Sequence, residues 1–136
     1  MKRDEFIWPV RVYYEDTDAG GVVYYANYLK FFERARTEFL RAQGFEQDAL
    51  KARHGIIFAV RSVRADYLRP ARFNDLLAVS CRLTGHKRAS LEFFQQVRRE
   101  EQVLCEGRVR IACLDASAFR PRSIPEPLWR TLQSHE

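Results

Sequence analysis

The feature that most constrains the fold is a change of hydrophobic period within residues 10–41. Residues 6–15 alternate apolar and polar side chains, as a half-buried strand does. After the glycine-containing turn at 16–21, apolar residues return at helical spacing from Asn27, the predicted N-cap, and Gly44 stands where a left-handed cap would end the helix. The sequence therefore predicts a strand, a tight turn and one amphipathic helix of about four to five turns.

The rest of the chain alternates in long segments separated by short polar turns. The predicted strands are 55–68, 75–84, 90–99 and 103–114, with turns at 85–88 and 100–102. Such spacing indicates an antiparallel meander, so one helix and about five or six strands form an α+β domain with the helix on one face of the sheet. We expect residues 1–136 to be a single domain, with 117–136 as a C-terminal tail or short terminal element.

Composition limits where the protein works and what it binds. The longest uncharged apolar run, Ile56 to Val60, is far shorter than the ~18 residues of a membrane span, and Asp4 and Glu5 stand where a signal peptide would need an apolar core. We expect a cytoplasmic protein with no membrane span. Because one sheet covered by one helix leaves a face or an edge uncovered, we also expect a homo-oligomer.

Cysteine and histidine spacing argues against a metal site. The three cysteines lack CxxC spacing, and the three histidines form no HxxxH or HxH pair, so we predict reduced core thiols and no metal. The net charge of +5 suits either nucleic acid or a phosphorylated cofactor. No stretch matches an RNP1 pattern, a KH loop or a helix-turn-helix, and the aromatic residues fall in the predicted core, so we expect no nucleic-acid partner.

The segment VRVYYEDTDAGGVVYYANYLKFFERARTEFLR and the later DYLRPARFNDLL carry a family resemblance. They resemble the hotdog-fold acyl-CoA thioesterases of the hydroxybenzoyl-CoA thioesterase superfamily, and most closely the Tol-Pal-associated branch. The resemblance extends to about Pro121. It implies a hotdog fold, in which a curved antiparallel sheet wraps one long helix, and a homodimer or homotetramer with active sites between subunits.

The same resemblance assigns catalytic roles to Asp18 and Tyr25. A carboxylate, ionised at neutral pH, can attack a thioester carbonyl or activate water, and both routes stay open. The backbone N–H near Tyr25, at the helix start, is the candidate oxyanion donor, and Gly20 and Gly21 would let the substrate approach closely. The competing carboxylate, Asp16, is better explained as a turn-stabilising side chain.

Tyr25 departs from the Tol-Pal-associated branch, which has histidine at this position. A phenol with a reference pKa near 10 accepts a proton poorly at pH 7, whereas an imidazole accepts one readily. The tyrosine resembles the hydroxybenzoyl-CoA enzymes instead, which leaves open whether the acyl group is aliphatic or aromatic. We expect Tyr25 to act mainly through its backbone amide.

The basic turn at 85–90 matches a family loop that binds CoA phosphates. Lys87 and Arg88 could meet the phosphates, and Ser90 could add a hydrogen bond. A solvated basic turn is an equal alternative from the sequence alone.

Two functions stay open on the sequence. The first is an acyl-CoA thioesterase that needs no cofactor, CoA being part of the substrate; acyl carrier protein and lipid-synthesis enzymes are candidate partners. The second is a non-catalytic hotdog module of an envelope or lipid-synthesis complex that binds acyl-CoA or acyl carrier protein.

Overall fold

The computed structural model describes residues 5–136, so Asp4, used above against a signal peptide, lies outside the described part. The strands are β1 (Phe6–Arg11), β2 (Ile56–Tyr67), β3 (Leu76–Lys87), β4 (Ser90–Arg99) and β5 (Gln102–Asp115). The helices are α1 (Asn27–Ala42), α2 (Gln47–His54) and α3 (Glu126–Gln133), with a short 3₁₀ turn at Tyr14–Asp16. No helix in this described part is long and apolar enough to cross a bilayer.

The five strands form one antiparallel sheet in the order β1-β3-β4-β5-β2. Helix α1 packs on one face of this sheet, against β1, β3 and β4. This arrangement confirms the α+β hotdog fold predicted above. The order leaves β1 and β2 at the two edges, and β2 is twice as long as β1, with 12 residues against 6.

The core forms where the aromatic face of α1 meets the sheet. Phe31, Phe32 and Phe39 are almost fully buried, and the Phe39 ring meets that of Phe93 on β4 edge-on, with centroids 5.8 Å apart. Gly107 on β5 lets the helix approach closely, because a Cβ there would lie 3.0 Å from the Phe32 ring. The helical period seen in the sequence is therefore the core-facing stripe of α1.

Two predicted boundaries are wrong near the first turn. Strand β1 ends at Arg11 instead of residue 15, because Tyr14–Asp16 form a 3₁₀ turn where the sequence predicted continued strand. Asn27 is not an N-cap: Ala26 holds that position without a side-chain cap, and Asn27 is a buried residue of the first helical turn. At the other end, Gly44 has the predicted left-handed conformation, with φ of +92°.

The turn predicted at 85–88 is shorter than expected. Strand β3 continues to Lys87, which pairs with Ser90, so only Arg88 and Ala89 form the turn. A register irregularity between Leu83 and Gly85 lets the strand continue past the glycine. The turn at 100–102 is likewise reduced to Glu100 and Glu101, because Gln102 already belongs to β5.

Two helices were not predicted as such. Helix α2 ends at Gly55, whose φ of +64° gives the left-handed C-cap. Helix α3 lies within the segment expected to be a tail or short element, and its Leu128 and Leu132 are fully buried. Its short length and flanking prolines hid its amphipathic pattern, and its stability comes from docking against the sheet.

Candidate active site

The turn between β1 and α1 is held by the buried residue Asp16. One of its carboxylate oxygens, Oδ2, accepts a hydrogen bond from the Tyr13 N–H at 2.9 Å. Its carbonyl accepts two more, from the Tyr24 N–H at 2.9 Å and from Asn27 Nδ2 at 2.8 Å. Asp16 and Asn27 therefore fix the turn to the start of α1, and neither side chain faces solvent.

Asp18 stands at the head of a small hairpin closed by a bridge between Thr17 and Val23. The Asp18 N–H donates to the Val22 carbonyl at 2.9 Å, and the Asp18 carbonyl accepts from the Gly21 N–H at 3.0 Å. One side-chain oxygen, Oδ1, accepts from the Gly20 N–H at 2.8 Å. The side chain is exposed, so its second oxygen is accessible to an incoming reactant.

The two glycines have different roles in this hairpin. Gly21 has a φ of +77°, which favours glycine, although a Cβ there would meet no other residue within 4 Å. Gly20 is restricted sterically, because a Cβ there would lie 3.2 Å from Asp18 Oδ1. The absence of a side chain at Gly20 therefore leaves room for the Asp18 carboxylate, and the left-handed conformation of Gly21 closes the turn.

The start of α1 presents free amides beside this hairpin. The N–H groups of Asn27, Tyr28 and Leu29 are bonded to carbonyls one turn earlier. Those of Tyr25 and Ala26 have no acceptor within residues 5–136. Unpaired amides at a helix start carry partial positive charge and suit an anionic oxygen. The structure thus offers two amide donors at the position where the sequence suggested one.

The Tyr25 side chain belongs to an exposed tyrosine cluster. Its ring lies 4.8 Å from that of Tyr24 and 6.1 Å from that of Tyr67 at the end of β2. The pKa of Tyr24 is raised, first by the hydrogen bond and the charge of the Tyr25 phenol, then by burial, and last by the negative charge of Asp18. Asp18 is therefore close enough to influence this cluster electrostatically.

Tyr28 connects the hairpin to the loop after β2 through Ala71, a role that the sequence did not suggest. Its hydroxyl accepts a hydrogen bond from the Ala71 N–H at 2.9 Å, and the Ala71 carbonyl accepts one from the Val23 N–H at 2.8 Å. A bridge between Val22 and Arg72 reinforces the contact. Burial raises the pKa of Tyr28. The Pro70-Ala71 stretch after β2 is the sequence feature that could have indicated this contact, because the backbone N–H and carbonyl groups of such a loop need hydrogen-bond partners.

The predicted CoA-binding residues lie elsewhere in the protomer. Lys87, Arg88 and Ser90 form the β3–β4 turn, where both basic side chains are exposed. Asp18 lies near the opposite end of β3, beside the loop that leads into it. Since β3 has 12 residues, its ends are about 36 Å apart. One protomer therefore does not bring Asp18 and this basic turn together.

The cysteines do not offer an alternative nucleophile. All three are buried and unpaired by disulfides. Burial raises the pKa of Cys105 to about 12 and that of Cys113 to about 11, and it raises the pKa of Cys81 further still. These thiols therefore stay protonated at neutral pH.

Within residues 5–136, no three His, Cys, Asp or Glu side chains gather as metal ligands would.

Comparison with known proteins gives concordant matches along nearly the whole chain. Residues 12–132 match the model of the thioesterase-like superfamily. The chain is 47% identical over 129 residues to acyl-CoA thioester hydrolase YbgC of Escherichia coli O6:H1, covering 94% of this chain and 96% of that protein. It is 45% identical over 126 residues to acyl-CoA thioesterase YbgC of Haemophilus influenzae, covering 93% of each.

Solved structures agree with this sequence similarity. A probable thioesterase from Bartonella henselae superposes with a TM-score of 0.86 at 36% identity, covering 89% of this chain and 99% of that one. A hypothetical protein from Thermus thermophilus superposes with a TM-score of 0.90 at 32% identity, covering 96% of this chain and 99% of that one. The 1,4-dihydroxy-2-naphthoyl-CoA thioesterase of Synechocystis, at 20% identity and a TM-score of 0.87, shares the fold and covers 95% of this chain and 96% of that one.

Proposed function

The chain belongs to the thioesterase-like superfamily, and on that premise we propose that it hydrolyses acyl-CoA thioesters to a free acid and CoA. Its relatives in E. coli and H. influenzae carry names that state this activity. One observation in this chain carries the proposal: the exposed carboxylate of Asp18 is held by the Gly20 N–H, in a hairpin fastened to a helix start with two unpaired amides.

In the proposed reaction, the thioester carbonyl oxygen accepts hydrogen bonds from the N–H groups of Tyr25 and Ala26. These donors stabilise the negative charge that develops on this oxygen when a nucleophile adds to the carbonyl carbon. Because the amides are already oriented by the helix, they need little reorganisation during the reaction.

Asp18 supplies the nucleophile by one of two routes. As a general base it takes a proton from water while the water oxygen bonds to the carbonyl carbon; the C–S bond then breaks, and the proton passes to the CoA thiolate. As a nucleophile it forms a mixed anhydride and releases the thiolate, and water then cleaves the anhydride. Both routes end in the same acid and thiol.

A second copy of the chain is part of the proposal. The long edge strand β2 has one side without a strand partner in the described protomer, whereas the other edge, β1, is short and contains Pro9. Antiparallel pairing of two β2 strands would set Tyr67 of one protomer near Ile56 of the other. Ile56 pairs with Asp115, and Ser90 pairs with Ala112, three residues away on β5. The partner's basic turn would thus approach the Asp18 site.

The test is thiol release from a panel of short, long and aromatic acyl-CoAs. We expect the purified protein to hydrolyse at least one of them, and Asp18→Asn to lose several orders of magnitude in kcat. Glu15→Gln is the matched control, because it removes an exposed carboxylate from the same turn. Binding without turnover on the whole panel would favour the non-catalytic acyl-binding module. The cytoplasmic location, the Tol-Pal association and the acyl carrier protein and lipid-synthesis partners stay predictions.

A further inference from the structure

Asn27, the first residue of α1, joins the two parts of the candidate site. The residue is only 8% exposed, and its Nδ2 donates to the Asp16 carbonyl at 2.8 Å. Its backbone N–H donates to the Tyr24 carbonyl, also at 2.8 Å. Since the Tyr24 N–H donates to the same Asp16 carbonyl at 2.9 Å, three hydrogen bonds connect these residues in a closed triangle.

This triangle lies between the carboxylate and the amide donors of the proposed reaction. Asp18 follows Asp16 by two residues, in the hairpin. Tyr25 and Ala26, whose amides have no acceptor within residues 5–136, are the two residues enclosed by the turn that ends at Asn27. The separation of the carboxylate from the amides is therefore set through the Asp16 carbonyl.

Helix propensity does not explain an asparagine at this position. Asn is a poorer helix former than Ala or Leu, and Ala26 instead of Asn27 holds the N-cap position. A buried amide is costly unless it is hydrogen-bonded. The Asp16 carbonyl is the only acceptor of the Asn27 side chain among residues 5–136. This one contact is therefore what the side chain contributes.

The hairpin is tied to side chains of α1 at two points, and these act on different strands. Tyr28 acts through the loop after β2 on Val23, in the strand that returns to the helix. Asn27 acts on Asp16, in the segment that leads into Asp18. In the described part of the chain, Asn27 is thus the one residue of α1 whose side chain bonds to the carboxylate-bearing arm of the hairpin.

We propose that Asn27 is a positioning residue, which sets the distance between the Asp18 carboxylate and the amides of Tyr25 and Ala26. This inference rests on the proposed hydrolase function and adds a residue to it. Asn27 acts through Asp16 and touches no substrate atom. Its effect falls on the rate of the chemical step, because a misplacement of about 1 Å at the reacting groups can cost roughly a hundredfold in rate.

The first test is the rate of thiol release by Asn27→Ala over a range of acyl-CoA concentrations. In this variant the Asp16 carbonyl keeps its hydrogen bond from the Tyr24 N–H, so no buried carbonyl is left without a donor. We expect kcat to fall by roughly tenfold to a hundredfold while KM stays within about threefold of the wild-type value. A kcat within about threefold of wild type overturns the proposal, since misplacement costs more than that.

Asn27→Asp tests the direction of the hydrogen bond. An ionised carboxylate cannot donate to the Asp16 carbonyl and repels it, whereas a protonated carboxyl group can donate. The ratio of kcat for Asn27→Asp to kcat for Asn27→Ala should therefore rise as the pH falls towards the reference Asp pKa of about 3.9. The ratio cancels the loss that protonation of Asp18 causes in both variants.

A ratio that does not change with pH contradicts donation to Asp16 and overturns the proposal. If Asn27→Ala does not fold, the same ratio taken against the wild type decides the matter. Leu132→Ala is the control for stability, because it removes a buried side chain of α3 and leaves the hairpin intact. Its kcat should equal that of the wild type below its unfolding midpoint, so that lost stability alone does not account for Asn27→Ala.

Amide hydrogen exchange separates this proposal from the hydrolase proposal. The N–H groups of Tyr24 and Asp18 are bonded within the hairpin and should exchange faster in Asn27→Ala than in the wild type. Faster exchange in a protein that hydrolyses no acyl-CoA would support the hold of Asn27 on the hairpin and contradict the hydrolase function. Hydrolysis with equal kcat and equal exchange in both proteins would support the hydrolase function and overturn the role of Asn27.

Discussion

The ring of Tyr67, at the end of β2, meets the ring of Tyr25, just before α1, nearly at right angles, with centroids 6.1 Å apart. This contact joins the edge strand to the helix start that supplies the free amides. It leaves the Tyr25 side chain 60% exposed, so the phenol lies at the surface of the site.

Tyr25→Phe should lower kcat only modestly, by less than about tenfold, because the variant keeps the backbone amide and the ring contact with Tyr67. Thiol release under saturating acyl-CoA measures the effect. The comparison is Asp18→Asn under the same conditions. A loss as large as that of Asp18→Asn would show that the phenol takes part in the chemistry.

Reversing the charge of the basic turn should weaken recognition of CoA. Lys87→Glu combined with Arg88→Glu should raise KM for an acyl-CoA far more than KM for a simple thioester without phosphates, because the lost interaction is with the phosphates. The neutral double variant with Gln at both positions should have an intermediate KM. Equal changes in KM for both substrates would mean that the turn acts on something other than CoA.

Mixing two variants tests whether the basic turn acts across a subunit boundary. Asp18→Asn and the Lys87→Glu, Arg88→Glu double variant should each be poor at low acyl-CoA concentration. A heterodimer formed by co-refolding would contain one intact site, with Asp18 from one protomer and the partner's Lys87 and Arg88. We expect the mixture to recover part of the wild-type activity. Light scattering of the wild type should give a molar mass of at least a dimer. Mixtures as inactive as their components would contradict a site shared between two protomers.

Tyr28→Phe should destabilise the protein and disturb the catalytic hairpin together. The variant removes the acceptor of the buried Ala71 N–H, and an unsatisfied buried donor costs about 1–3 kcal/mol in the free energy of unfolding. The hairpin held through the Ala71 carbonyl should loosen, so kcat should fall as well. Urea denaturation and thiol release measure the two effects. Tyr14→Phe, at a highly exposed ring, is the control expected to change neither.

Helix α3 should contribute substantially to stability. Leu128→Ala or Leu132→Ala removes a fully buried side chain and should lower the free energy of unfolding by about 2–5 kcal/mol. Arg130→Ala, on the exposed face of the same helix, should stay within about 0.5 kcal/mol of wild type. If the leucine variants unfolded at the same denaturant concentration as the wild type, the packing of α3 would not contribute to stability as expected.

Local pattern was enough for the parts of the fold that local rules govern. The change of period at Asn27 predicted α1, the alternation after residue 55 predicted the four meander strands, and the residue types of 16–21 predicted the turn that carries Asp18. These elements follow from apolar spacing and turn chemistry, which a single segment already contains. The helix α3 and the exact end of β1 were less accessible, because packing and contacts to distant residues decide them.

The composition of the site depended on long-range contacts that no local pattern encodes. The sequence placed Asp18 and the Tyr25 amide together because they are neighbours in the chain. Only the folded chain brought Tyr67 to Tyr25 and Ala71 to Tyr28, and only it separated Lys87 from Asp18 along β3. Arg36 has the residue type of a solvated helix position, and its burial against Gln95 comes from the register between α1 and β4. Spacing along the chain fixes local geometry, whereas burial depends on what packs from elsewhere.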